Sequence, residues 1–314
     1  MAAESAETVT TGGATPPDLS SIVREPGAPK PDPIIKGSKI TRQFGGLRAV
    51  DVDHLEIQRG VITALIGPNG AGKTTLFNLL TGFDTPDSGE WAFNGKSLGG
   101  VAPFKVARLG MVRTFQLTKV LAKLTVIENM RLGATGQNGE KFWQAAFPSR
   151  WRKQEAENTE RADDLLRRFK LDAKREDFAG SLSGGQRKLL EMARALMVDP
   201  ELIMLDEPMA GVNPALKQSL LGHVKSLRDE GRTVLFVEHD MDMVRDISDW
   251  VIVMAQGRIV AEGTPESVMA DPAVIDAYLG AHHDTDLREL DETELDVEAE
   301  AELGSAPHVQ KEHP

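Results

Sequence analysis

The sequence contains no cysteine and only one tyrosine, and aromatic residues make up 5% of its 314 residues. Without cysteine the chain can form no disulfide, no thiolate metal site and no cysteine nucleophile, which fits a reducing compartment. No hydrophobic run approaches the roughly 18 residues that a membrane-spanning helix needs. The N-terminus lacks the basic and apolar regions of a secretory signal, so we expect none. Hydrophobic residues nevertheless make up 40%, which is enough for a core, and 314 residues can form one large or two modest domains.

A surplus of basic charge is also missing. The net charge is −12, and residues 282–314 carry −9 of it with eleven acids and two bases. The remaining residues carry −3 together, so we expect no nucleic-acid partner. The acidic tail at 282–314 repels itself and offers few apolar groups, which predicts an extended or weakly helical segment. A solubilising role is the simpler interpretation of this tail, and docking to a basic surface is the alternative.

The first half of the chain divides by composition. Residues 1–33 are rich in Ala, Thr, Ser, Gly and Pro, which predicts a disordered lead with order beginning near Ile34. Strand-like segments at Ile34–Thr41, Val52–Gln58 and Glu90–Asn94 then predict a small antiparallel layer. From about Gln116 to Arg187 the pattern becomes helical.

Apolar strands return in the second half, at Leu202–Leu205, Val234–Val237 and Val251–Met254, and we expect a helix after each. This alternation predicts a parallel sheet with helices on both faces. The helical block at 116–187 would then be an insertion between strands of that sheet. The predicted class is therefore α/β, with a parallel-sheet core and an antiparallel β layer.

A glycine-rich stretch, GPNGAGKTT at 67–75, follows the buried strand predicted at Val61–Ile66 and precedes a predicted helix. It matches the phosphate-loop pattern G-x-x-x-x-G-K-[ST] at Gly67, Gly72, Lys73 and Thr74. In such a loop the backbone N–H groups and the helix N-terminus surround phosphates. Lys73 would reach the β- and γ-phosphates, and the Thr74 hydroxyl would ligate Mg²⁺. The alternative is a glycine-rich turn that matches by chance.

Two acids end a buried strand in ELIMLDEP at 201–208. The carboxyl end of a parallel strand faces the crevice where α/β sheets bind ligands. Asp206 can hold Mg²⁺ there, and Glu207 can polarise a water for attack on a γ-phosphate. The alternative is a pair of solvated acids before a proline turn.

A second anion-binding helix start is predicted at SLSGGQR, residues 181–187, with its helix running from Gln186 to Met197. Alone it is also compatible with an ordinary N-cap. Because it lies far along the chain and lacks a lysine of its own, it favours binding the nucleotide of another subunit. His239, after the strand in VLFVEHDM, can hydrogen-bond a γ-phosphate, although a single histidine at a strand end is usually structural.

These motifs together resemble an ABC-type ATPase subunit: GPNGAGKTT, Gln116 in RTFQ, LSGGQ at 182–186, MLDEP at 204–208 and His239 in EHD occur in its order. The resemblance implies a RecA-like phosphate-loop core, an antiparallel β subdomain and an inserted α-helical subdomain, together spanning 34–281. It also implies that ATP and Mg²⁺ bind between two such subunits packed head to tail.

The resemblance assigns roles residue by residue. Phe44 corresponds to the aromatic that stacks on adenine. The implied nucleotide-binding set is Phe44, Gly67, Asn69, Gly70, Ala71, Gly72, Lys73, Thr74, Thr75, Gln116, Ser183, Gly184, Gly185 and Gln186. The implied metal ligands are Thr74, Gln116 and Asp206, and the implied catalytic residues are Glu207, His239 and Lys73. Asn213 in AGVNP departs from the family, which often has Asp there.

Three longer stretches are similar to the ATP-binding subunits of branched-chain amino-acid importers: VRTFQLTKVLAKLTVIENMRLGA, AGVNP and GTPESVMADPAVIDAYLG. This similarity implies a second ATPase subunit (the same or paralogous), two integral membrane permease subunits and a periplasmic or extracellular binding protein. It also implies a peripheral location at the cytoplasmic face of the membrane. Similar patterns occur in urea or amide importers and in lipopolysaccharide exporters.

Two other classes fit the sequence less well. A soluble ABC ATPase acting on ribosomes or DNA would usually carry two cassettes, a long coiled coil or a basic surface. A phosphate-loop kinase would not need LSGGQ or the acid pair followed by His239.

Overall fold

Two β-sheets and a set of helices build the structure, a computed structural model that describes residues 17–114, 120–134 and 148–279. The first sheet is antiparallel, in the order β2-β1-β4-β5. Its strands are β1 (Pro33–Phe44), β2 (Leu47–Gln58), β4 (Ser88–Phe93) and β5 (Lys96–Ser97). The antiparallel layer predicted from the sequence is confirmed.

The second sheet has six strands in the order β10-β9-β3-β8-β7-β6. They are β3 (Ile62–Ile66), β6 (Met111–Arg113), β7 (Leu202–Asp206), β8 (Thr233–Val237), β9 (Trp250–Ala255) and β10 (Arg258–Gly263). The first five are parallel, as predicted, although three-residue β6 was too short to recognise by pattern.

One expectation about this sheet is wrong, because β9 is followed by the antiparallel strand β10 and not by a helix. Gln256 and Gly257, which connect the two strands, both have positive φ, at 48° and 80°. Two left-handed residues in succession make a tight hairpin turn that matches the twist of the strands.

The helices are α1 (Lys73–Leu80), α2 (Pro103–Arg108), α3 (Val126–Arg131), α4 (Pro148–Arg168), α5 (Gly184–Ala195), α6 (Pro214–Asp229), α7 (Met241–Ile247) and α8 (Pro265–Met269). Residues 272–279 are also helical. Helices α3, α4 and α5 lie between β6 and β7 in the chain, where the helical insertion was predicted. No helix in the described part of the chain is long and apolar enough to cross a membrane.

The parallel sheet separates two hydrophobic clusters. Successive side chains of a strand point to opposite faces, and β3 shows the consequence. Ile62, Ala64 and Ile66 pack with helices α5, α6 and α7, whereas Leu65 packs with α1 and the antiparallel sheet. Because both faces are covered, the loops at the carboxyl ends of the strands provide the open edge where a ligand can bind.

The segment before β1 differs from the expectation of a disordered lead up to residue 33. Ile22 and Ala28 are buried in the cluster around the antiparallel sheet. The Lys30 ammonium lies 3.0 Å from a Glu262 carboxylate oxygen, and both side chains are 1% exposed. Composition could not predict this order, since it depends on a partner 232 residues away. The rest of the lead and the acidic tail lie outside the described residues.

Candidate functional site

The phosphate loop joins β3 to α1 and packs closely against the backbones of β9 and β2. Gly67 has φ 148° and Gly72 has φ 98°. A Cβ atom at Gly67 would lie 2.0 Å from the carbonyl oxygen of Met254 in β9. At Gly72 it would lie 2.2 Å from the carbonyl oxygen of Ala49 in β2. Both distances are far inside van der Waals contact with backbone, so only glycine fits at these two positions.

Helix α1 begins without a side-chain cap. Its N-cap is Gly72, which provides no capping hydrogen bond, and its first turn contains no acidic residue. The first N–H groups of a helix have no intrahelical partner and carry a positive partial charge. This arrangement favours an anion at the start of α1, next to the exposed residues Asn69, Gly70 and Thr74.

Lys73 lies across its own loop. Its Nζ donates to the carbonyl oxygens of Gly67 at 2.6 Å and Pro68 at 2.8 Å. Burial lowers the pKa of the Lys73 ammonium, and attraction by Glu207 and Asp206 opposes that shift. The structure therefore brings the phosphate-loop lysine and the acid pair together, as the sequence predicted.

The two acids at the end of β7 have different environments. Asp206 is buried, and its Oδ2 accepts a hydrogen bond from Arg113 Nη2 at 2.6 Å. Glu207 is only partly buried and adopts a positive φ of 46°, while its N–H donates to the carbonyl oxygen of Val237 at 3.0 Å. A left-handed non-glycine residue costs about 1–3 kcal/mol, and such strain clusters at functional sites.

Glu238 and Lys188 brace the loop that follows Glu207, and sequence analysis missed both. The Glu238 carboxylate accepts from the backbone N–H groups of Met209 at 3.1 Å and His239 at 3.3 Å. Burial raises the pKa of Glu238, and these two donors oppose the shift. Lys188 Nζ donates to the carbonyl oxygens of Pro208, at 3.1 Å, and Ala210. The available signals were that Glu238 is the first residue of EHD and that Lys188 lies two residues after SGGQ.

His239 lies at the same edge of the sheet as the acids. It follows β8, which pairs in parallel with β3 on one side and β7 on the other. Its side chain is 68% exposed, and its Nδ1 lies 3.8 Å from Glu238 Oε2. Strand order alone thus places the loops carrying Lys73, Glu207 and His239 next to one another.

The LSGGQ segment forms the start of α5, and its polar side chains cap that helix. The N–H of Gln186 donates to Ser183 Oγ at 3.2 Å, and the N–H of Ser183 donates to Gln186 Oε1 at 3.0 Å. Within the described chain, no hydrogen bond or ion pair joins residues 183–186 to residues 67–75. The structure therefore does not bring this second predicted anion-binding segment, the second cradle, to the chain's own phosphate loop.

The two glycines of this segment have different surroundings. A Cβ atom at Gly184 would meet nothing within 4 Å, whereas one at Gly185 would lie 1.9 Å from Leu216 Cδ2. Asn213 occupies the N-cap of α6, where its Oδ1 accepts from the N–H of Leu216 at 2.9 Å. An aspartate would cap that helix in the same way, which accounts for the exchange with Asn in terms of local structure.

Phe44 ends β1 with 48% of its surface exposed. The Arg42 guanidinium lies 4.7 Å from the centroid of the Phe44 ring. Arg42 is itself held by Asp84, at 3.0 Å, and Asp87, at 3.0 Å, in the segment after α1. Phe44 thus presents an exposed, supported ring on which a base can stack. Gln116 lies outside the described residues, and its role stays a prediction.

The oxygen chemistry at this edge fits Mg²⁺, which prefers carboxylate, hydroxyl, water and phosphate oxygens. Thr74 contributes an exposed hydroxyl at the start of α1, and Asp206 contributes a carboxylate at the end of β7. In the part of the chain that the structure describes, no group of three or more His, Asp or Glu side chains could hold a metal ion.

Two family models match the chain. The ABC transporter model matches residues 50–210, and the branched-chain amino acid ATP-binding cassette transporter model matches residues 258–284. Among solved structures, a nucleotide-free ATP-binding cassette from an ABC transporter is 38% identical, with a TM-score of 0.68, and the match covers 78% of this chain and 98% of that one. The structure of an ABC transporter cassette in its ADP conformation gives the same TM-score at 37% identity and covers 79% of this chain and 99% of that one.

Two relatives match this chain over nearly all of their own length. The probable branched-chain amino acid transport ATP-binding protein LivG of Archaeoglobus fulgidus is 42% identical over 79% of this chain and 96% of the relative. The high-affinity branched-chain amino acid transport ATP-binding protein BraF of Pseudomonas aeruginosa is 41% identical over 79% of this chain and 98% of the relative. The chain therefore belongs to the ABC transporter family, as one of its ATP-hydrolysing cassettes.

Proposed function

We propose that this cassette is the motor subunit of an importer of branched-chain amino acids, and that it hydrolyses ATP between two cassettes. The observation that carries the catalytic part is the convergence of Lys73, Asp206, Glu207 and His239 on adjacent loops at one edge of the parallel sheet. The uncapped start of α1 lies at the same edge.

Each residue has a role that follows from its position. The phosphate-loop N–H groups and Lys73 bind the phosphates, which replace the carbonyl oxygens of Gly67 and Pro68 as partners of Nζ. Thr74 and Asp206, with Gln116, hold Mg²⁺, which supplies charge neutralisation at the phosphates. Glu207 accepts the proton of the attacking water, and His239 donates a hydrogen bond to the γ-phosphate.

The second cradle acts across a dimer. Residues 183–186 are exposed or half-buried around Gly184, and in the described structure they form no hydrogen bond to the phosphate loop of their own chain. In a head-to-tail pair they would face the nucleotide held by the other subunit. ATP then contacts both chains and favours their closure, whereas hydrolysis removes the bridging γ-phosphate and allows them to separate.

Replacing Glu207 by Gln tests the catalytic assignment. The amide keeps the size of the side chain but does not accept the proton, so ATP binding should persist while turnover falls at least 100-fold. The expected product is a trapped, ATP-bound dimer, measured by size-exclusion chromatography with light scattering. Glu201→Gln, which lies just before the opposite end of β7, is the matched control and should keep wild-type ATPase activity. Wild-type turnover by Glu207→Gln would remove Glu207 from the catalytic role.

The transport assignment is supported by the names of the relatives and by the match of residues 258–284 to a branched-chain amino acid cassette model. The implied partners are two permease subunits, a second cassette and a binding protein outside the membrane, with this chain at the cytoplasmic face. In a reconstituted complex, a binding protein loaded with Leu should stimulate ATPase activity. Stimulation only by urea or short amides, or only by lipopolysaccharide, would replace the assignment with one of those substrates.

A further inference from the structure

Arg113, the last residue of β6, is buried beside the proposed metal site and is not used by the mechanism above. Its side chain is 4% exposed. One guanidinium nitrogen, Nη2, donates to Asp206 Oδ2 at 2.6 Å, and the other, Nη1, donates to Asn78 Oδ1 at 2.6 Å. A single guanidinium thus links the end of β7 with helix α1.

Asp206 and Asn78 both lie on elements that carry residues of the proposed nucleotide site. Asp206 is the proposed metal carboxylate, and Asn78 lies in α1, the helix that begins at Lys73 and Thr74. The guanidinium also lies 5.5 Å from the ring centroid of Phe77 on the same helix. The guanidinium is planar and presents its donors in a fixed geometry, so these contacts fix the orientation of the Asp206 carboxylate.

The charges around Asp206 explain why an arginine is needed there. The Asp206 side chain is 6% exposed, and a buried carboxylate is costly unless it is paired. Glu207 is its chain neighbour, and both attract Lys73. Without Arg113, the buried Asp206 carboxylate would lose the cation that lies 2.6 Å from its Oδ2, and the proposed mechanism assigns Lys73, which also attracts Asp206, to the phosphates. Such an excess of negative charge would attract a divalent cation even without nucleotide.

We propose that Arg113 is a positioning residue of the magnesium site, which neutralises and orients Asp206 so that the cation is held firmly only when nucleotide phosphates are also present. The inference rests on the proposed function, since it takes Asp206 as a metal carboxylate. Because Asp206 Oδ2 accepts from Arg113, the carboxylate would be held in one orientation while it ligates the cation.

The test measures Mn²⁺ binding to the full-length protein by the electron paramagnetic resonance signal of free Mn²⁺, with and without ATP. Arg113→Gln keeps hydrogen-bonding capacity but removes the charge, so its affinity for Mn²⁺ without ATP should rise at least tenfold over wild type. The double variant Arg113→Gln/Asp206→Asn should lose that gain, which places the new binding at Asp206. Arg228→Gln, which breaks an arginine–aspartate pair with Asp249 (3.0 Å), is the matched control and should behave as wild type.

Arg113→Lys covers the case in which the Gln variant does not fold. Lysine keeps the positive charge but lacks the planar set of donors of the guanidinium, so the affinity for Mn²⁺ without ATP should stay within twofold of wild type. The Mn²⁺ concentration needed for half-maximal ATP binding should rise at least threefold, because Asp206 is no longer oriented. Unchanged Mn²⁺ affinity in a folded Arg113→Gln protein, or an unchanged Mn²⁺ requirement in Arg113→Lys, would overturn the proposal. A wild-type protein that neither binds nor hydrolyses ATP would instead refute the proposed function.

Discussion

Replacing Gly184 by Ala separates the two roles that the LSGGQ segment can have, an ordinary helix start and a cradle for the nucleotide of another subunit. Gly184 is the first residue of α5, and an added Cβ atom would meet nothing within 4 Å in the described structure. Its φ is not positive, so alanine fits the backbone without strain. The isolated subunit should therefore tolerate the change.

We expect Gly184→Ala to raise the stability of the subunit and to lower its ATPase activity. Alanine is favoured over glycine in a helix by about 0.5–1 kcal/mol, so the free energy of unfolding should rise by up to that amount. ATPase activity should fall at least tenfold, which corresponds to about 1.4 kcal/mol of transition-state stabilisation. The reason is that the new methyl group projects into the space through which phosphate oxygens would approach the N–H groups of α5.

Three measurements on purified protein test this prediction: urea unfolding, equilibrium ATP binding to the monomer and steady-state ATPase activity at a protein concentration that supports dimers. Gly222→Ala is the matched control, because Gly222 is an exposed glycine of α6 whose added Cβ atom also meets nothing within 4 Å. It should gain similar stability and keep full activity. Full ATPase activity in Gly184→Ala would refute the cradle, and reduced stability would refute the open space inferred around Gly184.

Three further predictions concern the phosphates, the base and the lead segment. Lys73→Ala should weaken ATP binding at least 100-fold in a fluorescence titration, and wild-type affinity would contradict the proposed contact. Phe44→Ala should weaken ATP binding by about 1–3 kcal/mol, the usual range for stacking of a base on an aromatic ring, whereas Phe44→Tyr should keep the wild-type affinity. An ATP affinity of Phe44→Ala equal to that of the wild type would exclude stacking. Lys30→Met leaves Glu262 buried without its cation and should lower the free energy of unfolding in urea by about 3–5 kcal/mol. A decrease below about 1 kcal/mol would show that water replaces the cation.

Sequence patterns predicted the parts of the fold that depend on local chemistry. The run Val61–Ile66 before a glycine-rich loop and the run before Asp206 are apolar strands with a chemical signal at the carboxyl end, and both were found. Strand β6 could not be found in the same way, because Met111–Arg113 is held by pairing with β7 and not by a pattern of its own. Strand β10 was missed because a helix was expected after the strand at Val251–Met254, whereas the positive φ angles of Gln256 and Gly257 form a hairpin turn there.

The candidate site shows a similar limit. Residues that belong to a recognisable motif, such as Lys73 and Glu207, could be predicted from the sequence. The supporting residues Arg113, Lys188 and Glu238 were missed, although Glu238 is part of EHD, because each acts on a segment that is distant in sequence. Arg113, for example, lies 93 residues from Asp206. Only folding makes such residues neighbours.

The glycines of the two motifs illustrate what the structure adds to a motif. Gly67 and Gly72 are required within the chain, because a Cβ atom at either position would collide with a backbone carbonyl oxygen of another strand. Gly184 belongs to an equally recognisable motif, but nothing in the described part of its own chain requires a glycine there. If a glycine is needed at Gly184, the reason lies outside the described part of the chain, and the second subunit proposed above would supply it. The space above Gly184 is therefore the structural argument for a second subunit, and it does not depend on resemblance to any relative.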